Sequence, residues 1–343
     1  MRFDPAAVEG PYLRDLLAQP RALEDTVAAL CHVSAPANLG GFDRIVLTGM
    51  GASYHALQPL QIQLVEHGFP AVAYETSELI YYYPAVLTAR TLLIAVSQSG
   101  RSVEIVRLLD AAAGRVRIVG VTNTPDSPLA MRADFTLPTD AGAESSVSCK
   151  TYVATLAALA WLGETLCGGD RKQVEAALRE AAPAVESYWS GWEAKVGTLV
   201  ELLDGVRALF VTGRGTSMAA AGLGGLTLKE SAHFHAEGMT CSAFRHGPFE
   251  MVGPDVFVLV FAGDPQTAAL NEGLVRDVRQ AGGKAALAGT ETEDSIFRIP
   301  RTAPAVRPIV EVLPVQMISL ALAALAGHQP GKFRLLTKVT TIE

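Results

Sequence analysis

The sequence predicts an α/β protein of two tandem domains, each a doubly wound parallel sheet flanked by helices. A short internal repeat is the first reason. Residues 46–53 read Val-Leu-Thr-Gly-Met-Gly-Ala-Ser and residues 210–217 read Phe-Val-Thr-Gly-Arg-Gly-Thr-Ser, identical at four of eight positions at an offset of 164. Self-similarity at a fixed spacing marks a repeated architecture. Alternation of short apolar runs with helical stretches is the second reason, because it implies parallel strands joined by crossover helices. Composition is the third. Hydrophobic residues make up 49% and charged residues 18%, a balance suited to strands buried on both faces, which read as continuous apolar runs.

The elements follow in order. In the first half, the run Leu92 to Val96 ends in Ser97-Gln98-Ser99-Gly100, a short strand spans Arg117 to Thr122, and a small-residue helix spans Tyr152 to Leu166. In the second, Val256 to Phe261 ends in Ala262-Gly263-Asp264, a strand spans Lys284 to Ala288, and a helix spans Pro314 to Ala326. A helix is also expected from Ser217 to Glu237, and the polar helical stretch Arg171 to Leu203 links the halves. Right-handed crossovers then make each half a doubly wound layer. The division expected is residues 1–190 (leading helix, first domain and linker), 191–327 (second domain) and 328–343 (a C-terminal tail).

Several function classes fall away. The net charge is −7 with no basic cluster, so nucleic acid is not an expected partner. Cys31, Cys149, Cys167 and Cys241 form no Cys-x-x-Cys pair; neither a disulfide framework nor a zinc site is expected, and reduced cytoplasm is the expected location. The start, Met-Arg-Phe-Asp-Pro, lacks a signal peptide's apolar core. The longest apolar stretch, Val312 to Gly327, holds Pro314, Gln316 and Ser319 and is shorter than a bilayer span, so no membrane partner is expected.

In open α/β sheets, ligands bind beyond the carboxyl ends of the strands. Ser97, Gln98, Ser99, Gly100 and Ser102 stand there, just before a helix, and Ser53 occupies the equivalent turn of the preceding repeat strand. Hydroxyls, an amide and backbone N–H groups at a helix start suit a phosphate. A lone serine there reads as an N-cap; this density of polar and glycine positions reads as an anion site. The second half has Asp264 in place of a serine, so one phosphate site per chain is expected. Gly49-Met50-Gly51 is not a dinucleotide fingerprint, since Tyr54 replaces its third glycine and no acidic residue follows at the required distance.

The second half offers acids and bases. Glu230 falls on the apolar stripe of its helix with Leu223, Leu226 and Phe234, where lost solvation would raise its pKa towards the range of a useful base; the alternative is a structural ion pair. His246, in Phe-Arg-His-Gly-Pro, is an oriented but exposed loop histidine. Lys338 stands near the terminus, where a lysine is ordinarily solvated surface.

Together these residues resemble the SIS (sugar isomerase) superfamily, specifically the two-SIS-domain isomerase half of glucosamine-6-phosphate synthase and its single-purpose relatives. The resemblance runs from the opening helix Tyr12 to Leu17 with Gln19-Pro20, through Gly51-Ala52-Ser53-Tyr54 and Ser97-Gln98-Ser99-Gly100-Arg101-Ser102. It continues through Leu228-Lys229-Glu230, His235-Ala236-Glu237 and His246-Gly247-Pro248, to the tail Leu336 to Glu343. It implies that Ser53, Ser97, Gln98, Ser99 and Ser102 hold a sugar phosphate, and that Glu230 moves a proton between C1 and C2. It further implies that His246 assists ring opening from a neighbouring subunit of a homodimer, and that Lys338 forms a Schiff base with a ketose carbonyl. An aldose–ketose shift of this kind needs neither metal nor organic cofactor.

Departures from the family pattern bear on the sugar. Thr227 stands where the synthase has a lysine, Leu223 where it has a glutamate, and Cys149 near a sugar-contacting serine in the loop Glu144 to Lys150. No glutamine-hydrolysing domain is expected, and an amino-sugar-phosphate isomerase or deaminase is the expected activity. A fructose-amine 6-phosphate deglycase is one alternative. A non-catalytic sugar-phosphate sensor is another, disfavoured by the joint presence of Glu230, His246 and Lys338.

Overall fold

The computed structural model describes residues 3–34, 41–335 and 337–340. The first sheet holds β1 (Arg44–Gly49), β2 (Ala71–Glu75), β3 (Thr91–Val96), β4 (Arg117–Thr122) and β5 (Phe135–Pro138), in the order β2-β1-β3-β4-β5. The second holds β6 (Ala208–Gly213), β7 (Ala236–Thr240), β8 (Val256–Phe261) and β9 (Lys284–Ala288), in the order β7-β6-β8-β9. Every neighbouring pair is parallel, and helices cover the faces. The two doubly wound parallel sheets expected from the sequence are present.

The repeat is structural as well as sequential. β1 and β6 begin and end at the same offset of 164, and each leads into a 15-residue helix, Ala52–Glu66 and Met218–Ala232. Between strand and helix stand Gly51 at φ 51° and Gly215 at φ 55°, a left-handed conformation that glycine adopts without penalty. A Cβ on Gly49 would lie 3.0 Å from Ser53 Cβ, and one on Gly213 would lie 3.1 Å from Ser217 Cβ. The same tight strand-to-helix turn is therefore built twice.

β3, β6 and β8 are buried along their whole length, which is why they read as unbroken apolar runs. Val46, Leu93, Ile105, Leu108 and Ile118 form a core under the first sheet; Phe210, Phe244, Val258 and Leu274 form one under the second. Full burial of each such side chain contributes about 1.5–3 kcal/mol.

Two compact units result. The first sheet belongs with residues 20–144 and 150–182 and with the tail from Leu335 onward; the second belongs with residues 1–19, 145–149 and 183–334. The grouping thus differs from a contiguous division at 190 and 327. Gln19 shows why the leading segment joins the second unit. Its buried amide donates to Gln316 Oε1 (2.9 Å) and accepts from Trp189 Nε1 (3.1 Å), which gives the Gln-Pro signature a structural role.

Three elements depart from expectation. The stretch Arg171 to Leu203 is two helices, Arg171–Trp189 and Trp192–Leu203, broken at Gly191 with φ 66°. The helix expected to reach Glu237 stops at Ala232, where His233 turns left-handed at φ 49°. Phe234 therefore lies outside the helix, and residues 236–240 form β7 beside β6. Finally, residues 304–326 form a helical run of 23 residues, long and apolar enough to cross a bilayer, so shortness does not argue against a span. Of its most apolar window 83% is buried, packed against Met218–Ala232 and Trp192–Leu203, as in a core helix.

The helix that carries Glu230 lies unusually close to β7. A Cβ on Gly225 would fall 2.2 Å from the backbone N of Gly238, and one on Gly238 would fall 2.1 Å from the Ala221 carbonyl oxygen. Backbone has nowhere to retreat. Gly225→Ala should accordingly cost about 3 kcal/mol, measured as a lower midpoint in urea unfolding.

Candidate functional site

Consecutive strands leave β1 in opposite directions, towards β2 on one side and β3 on the other. Such a switch point opens a crevice at the carboxyl ends of the two strands. Ser53 is the second residue of the helix after β1, and Ser97 to Ser102 follow β3, so topology brings both turns to neighbouring strand ends.

The turn after β3 is held from within. Gly100 takes φ 61°, and a Cβ there would lie 2.1 Å from Ser127 Oγ and 2.9 Å from Thr122 Oγ1. Its N–H donates to Ser97 Oγ at 3.1 Å. The Gln98 carbonyl accepts from Asn123 N, Thr122 Oγ1 and Thr124 Oγ1. Ser99 Oγ accepts a long bond from Arg101 N at 3.4 Å. Ser102 occupies the N-cap position of the helix Val103–Ala112, yet its side chain makes no capping bond. The simple N-cap reading thus does not account for this hydroxyl.

The tail reaches the same turn. Val103 N, at the start of that helix, donates to Thr340 O at 3.2 Å. Two residues earlier, Lys338 Nζ lies 2.6 Å from Glu144 Oε2; the Glu144 side chain is 0% exposed and that of Lys338 is 22% exposed. The tail lysine is therefore not the solvated surface group its position suggests. Leu336 and Thr341 to Glu343 of the tail motif lie outside the described residues.

Glu230 and His246 belong to the other unit. Glu230 is half-buried in the last turn of the helix Met218–Ala232, and Thr227 and Leu223 are buried one and two turns before it. His246 is exposed at the end of the short helix Cys241–Arg245, before Gly247 at φ 141°. The structure thus groups Ser53, Ser97, Gln98, Ser99, Ser102 and Lys338 in one unit and Glu230 and His246 in the other.

The crevice at β6 and β8 differs in kind. Ser217, at the repeat offset from Ser53, donates to Glu311 Oε1 at 2.8 Å. Asp264 pairs with Arg307 at 2.7 Å. Arg214 donates to Asn271 Oδ1 and Ser242 Oγ at 3.0 and 2.7 Å. The protein's own charged groups occupy this crevice. Among the described residues, no three His, Cys, Asp or Glu side chains come together as a metal site.

A family model described as the SIS domain matches residues 41–164 and 202–326, the two sheets just described. The chain belongs to the SIS domain family. Glutamine–fructose-6-phosphate aminotransferase [isomerizing] of Pyrococcus horikoshii is 31% identical to it over 344 residues, covering 96% of this chain and 57% of that protein. The same-named protein of Gloeobacter violaceus is 32% identical, over 96% and 58%. The SIS chain thus spans under two thirds of these relatives. Among solved structures, the C-terminal domain of glucosamine-fructose-6-phosphate aminotransferase from Francisella tularensis shares the fold with a TM-score of 0.80 at 21% identity, covering 96% of this chain and all of that one. Glucosamine-6-phosphate deaminase from Thermotoga maritima gives 0.81 at 17% identity, over 97% and 100%. Tagatose-6-phosphate ketose/aldose isomerase from Escherichia coli gives 0.76 at 18% identity, over 98% of each.

Sequence reasoning missed Glu144, Thr151 and Asn123. Thr151 donates its N–H to Glu144 Oε1 (3.1 Å) and its hydroxyl to Oε2 (2.6 Å). Asn123 braces the segment leading to Glu144, accepting from Ala141 N and Thr139 Oγ1 and donating to Gly142 O. An acidic residue inside a loop of otherwise small, uncharged residues just before a helix is the one available signal.

Glu311 gives the SIS fold a measurable pH response. Burial lifts its carboxyl to about 7, against the lowering effects of the Ser217 hydrogen bond and Arg307. A raised carboxyl pKa favours folding when protonated, so this contribution is complete below about pH 4.5 and lost as pH rises to 7. Glu311→Gln should remove that loss: its stability relative to wild type should rise by about 2 kcal/mol between pH 5 and pH 8, measured by urea unfolding at both values.

Proposed function

We propose that this SIS protein moves a proton between C1 and C2 of an open-chain sugar 6-phosphate, an amino sugar by preference, as an isomerase or deaminase. The observation that carries this reading is the hydroxyl-rich turn after β3, with the Ser102 hydroxyl making no capping bond and the tail that bears Lys338 bonded to the same helix start. The names of its relatives and structural neighbours, each concerned with a sugar 6-phosphate or an aminated one, support the substrate class.

In this reading Ser53, Ser97, Gln98, Ser99 and Ser102 receive the phosphate. Hydroxyls and helix-start N–H groups suit an anion, and Arg101 in the same turn adds a positive charge. Glu230 is the proton carrier for C1 and C2, and half-burial suits a carboxylate that must exchange protons. His246, being exposed, serves as the ring-opening acid of a neighbouring copy in a homodimer. Lys338 takes the open-chain carbonyl as a Schiff base. Buried Leu223 and Thr227 supply no charge near Glu230 on its helix, so the sugar is one that needs no charged partner at those positions. The protein works in the cytoplasm.

A panel of ketose and amino-sugar 6-phosphates, followed by ammonia release and by solvent deuterium uptake at C1 and C2, tests the reaction. Glu230→Gln should lower turnover by about a hundred- to ten-thousand-fold with phosphate affinity nearly unchanged. Ser99→Ala should weaken sugar-phosphate binding by about tenfold, the loss of one hydrogen bond to a charged group. Binding of panel members with no turnover of any would replace the enzyme reading with a sugar-phosphate sensor.

A further inference from the structure

Lys338 sits in a stretch, residues 337–340, that has no regular secondary structure. Around it, Thr337 Oγ1 donates to Val339 O at 2.8 Å, and Thr340 O accepts from Val103 N. Its four-carbon stem has many rotamers, and a freely moving ammonium is a poor reagent for a carbonyl that must be met at bonding distance. Glu144 is the opposite kind of group. Both its oxygens are held by Thr151, the second residue of the helix Lys150–Cys167, whose positive end suits a carboxylate. The carboxylate is the fixed member of the pair, and Lys338 comes to it.

We propose that Glu144 is the positioning residue of Lys338 and the acceptor of its proton. This rests on the reading of Lys338 as the group that engages the sugar carbonyl. An ammonium has no lone pair, so before Nζ can attack it must lose a proton, and Glu144 Oε2 stands 2.6 Å away. The step balances without an outside reagent. One ammonium proton passes to Oε2, the Nζ–carbon bond forms, and the carbonyl π bond breaks with its electron pair going to oxygen. That oxygen then takes the proton back from Glu144, leaving a carbinolamine with its nitrogen still protonated and Glu144 a carboxylate again. Loss of water gives the protonated imine. Thr151, bonded to both carboxylate oxygens, keeps Oε2 aimed through the exchange.

Borohydride trapping on the full chain tests this, with fructose 6-phosphate and tagatose 6-phosphate as probes and the Lys338 peptide read by mass spectrometry. Wild type should form the reduced adduct. Glu144→Gln, which keeps the shape but not the proton acceptor, should form it about a hundredfold more slowly at pH 7, with unchanged affinity for inorganic phosphate. Its trapping rate should climb more steeply with pH than that of wild type between 7 and 9, because hydroxide must now take the proton; a purely structural role would not move this profile. Trapping by Glu144→Gln at the wild-type rate overturns the relay alone. Absence of any adduct in a wild type that still exchanges the C1–C2 proton overturns the Schiff-base reading and the relay together, leaving Glu230 in place. Should Glu144→Gln fail to fold, Thr151→Val takes its place: it should slow trapping several-fold, and an unchanged rate overturns the proposal.

Discussion

The first crevice depends on how closely one turn can approach its neighbour. At Gly100 the backbone lies so near Ser127 that no side chain fits, and the required left-handed φ excludes most residues independently. That approach lets the Gly100 carbonyl accept from Leu129 N and its N–H reach Ser97, while the Gln98 carbonyl is drawn onto the turn after β4. The backbone between Ser97 and Ser102 is thereby fixed by bonds on its inner side. A backbone fixed in this way loses little freedom on meeting a ligand, and low reorganisation is what lets a short polar turn that carries one cation, Arg101, serve as a binding surface.

How much of this could be read from sequence follows from the range of each interaction. β3, β4 and β8 were legible to the residue or nearly so, because burial on both faces forces an unbroken apolar run, and the edge strand β9 was legible from its uninterrupted Ala-Ala-Leu-Ala. β2, β5 and β7 were not: they are edge strands of four or five half-covered residues, and Ala-Glu-Gly-Met-Thr carries no strand pattern. The end of the Glu230 helix was missed for a different reason. Its left-handed stop is a histidine, not the glycine or asparagine that normally announces one.

The site shows the same division. The serine turn was legible because its parts are contiguous and its place at a strand end follows from the fold class. Lys338 drew attention only through its likeness to a family tail, since nothing local separates it from surface lysines. Glu144 was invisible: its partner lies 194 residues away, and an isolated glutamate in a loop looks the same whether it faces water or holds an ammonium. Burial, not residue type, distinguishes the two cases.

The two repeats show what the shared turn can be used for. Both keep the glycines that compress strand into helix, and both keep a serine at the same place, Ser53 and Ser217. In the second copy that serine already donates to Glu311, and Arg307 is already neutralised by Asp264. An incoming phosphate there would meet two carboxylates and an occupied arginine, so repulsion and competition both oppose it. The cost falls on Glu311, one of whose oxygens is buried without a hydrogen-bond partner and whose carboxyl resists ionisation. In the first copy, the turn carries hydroxyls and no acidic residue between Ser97 and Ser102. The backbone device is therefore the same in both copies and only its side chains differ: in the second they fill the crevice with the protein's own hydrogen bond and ion pair.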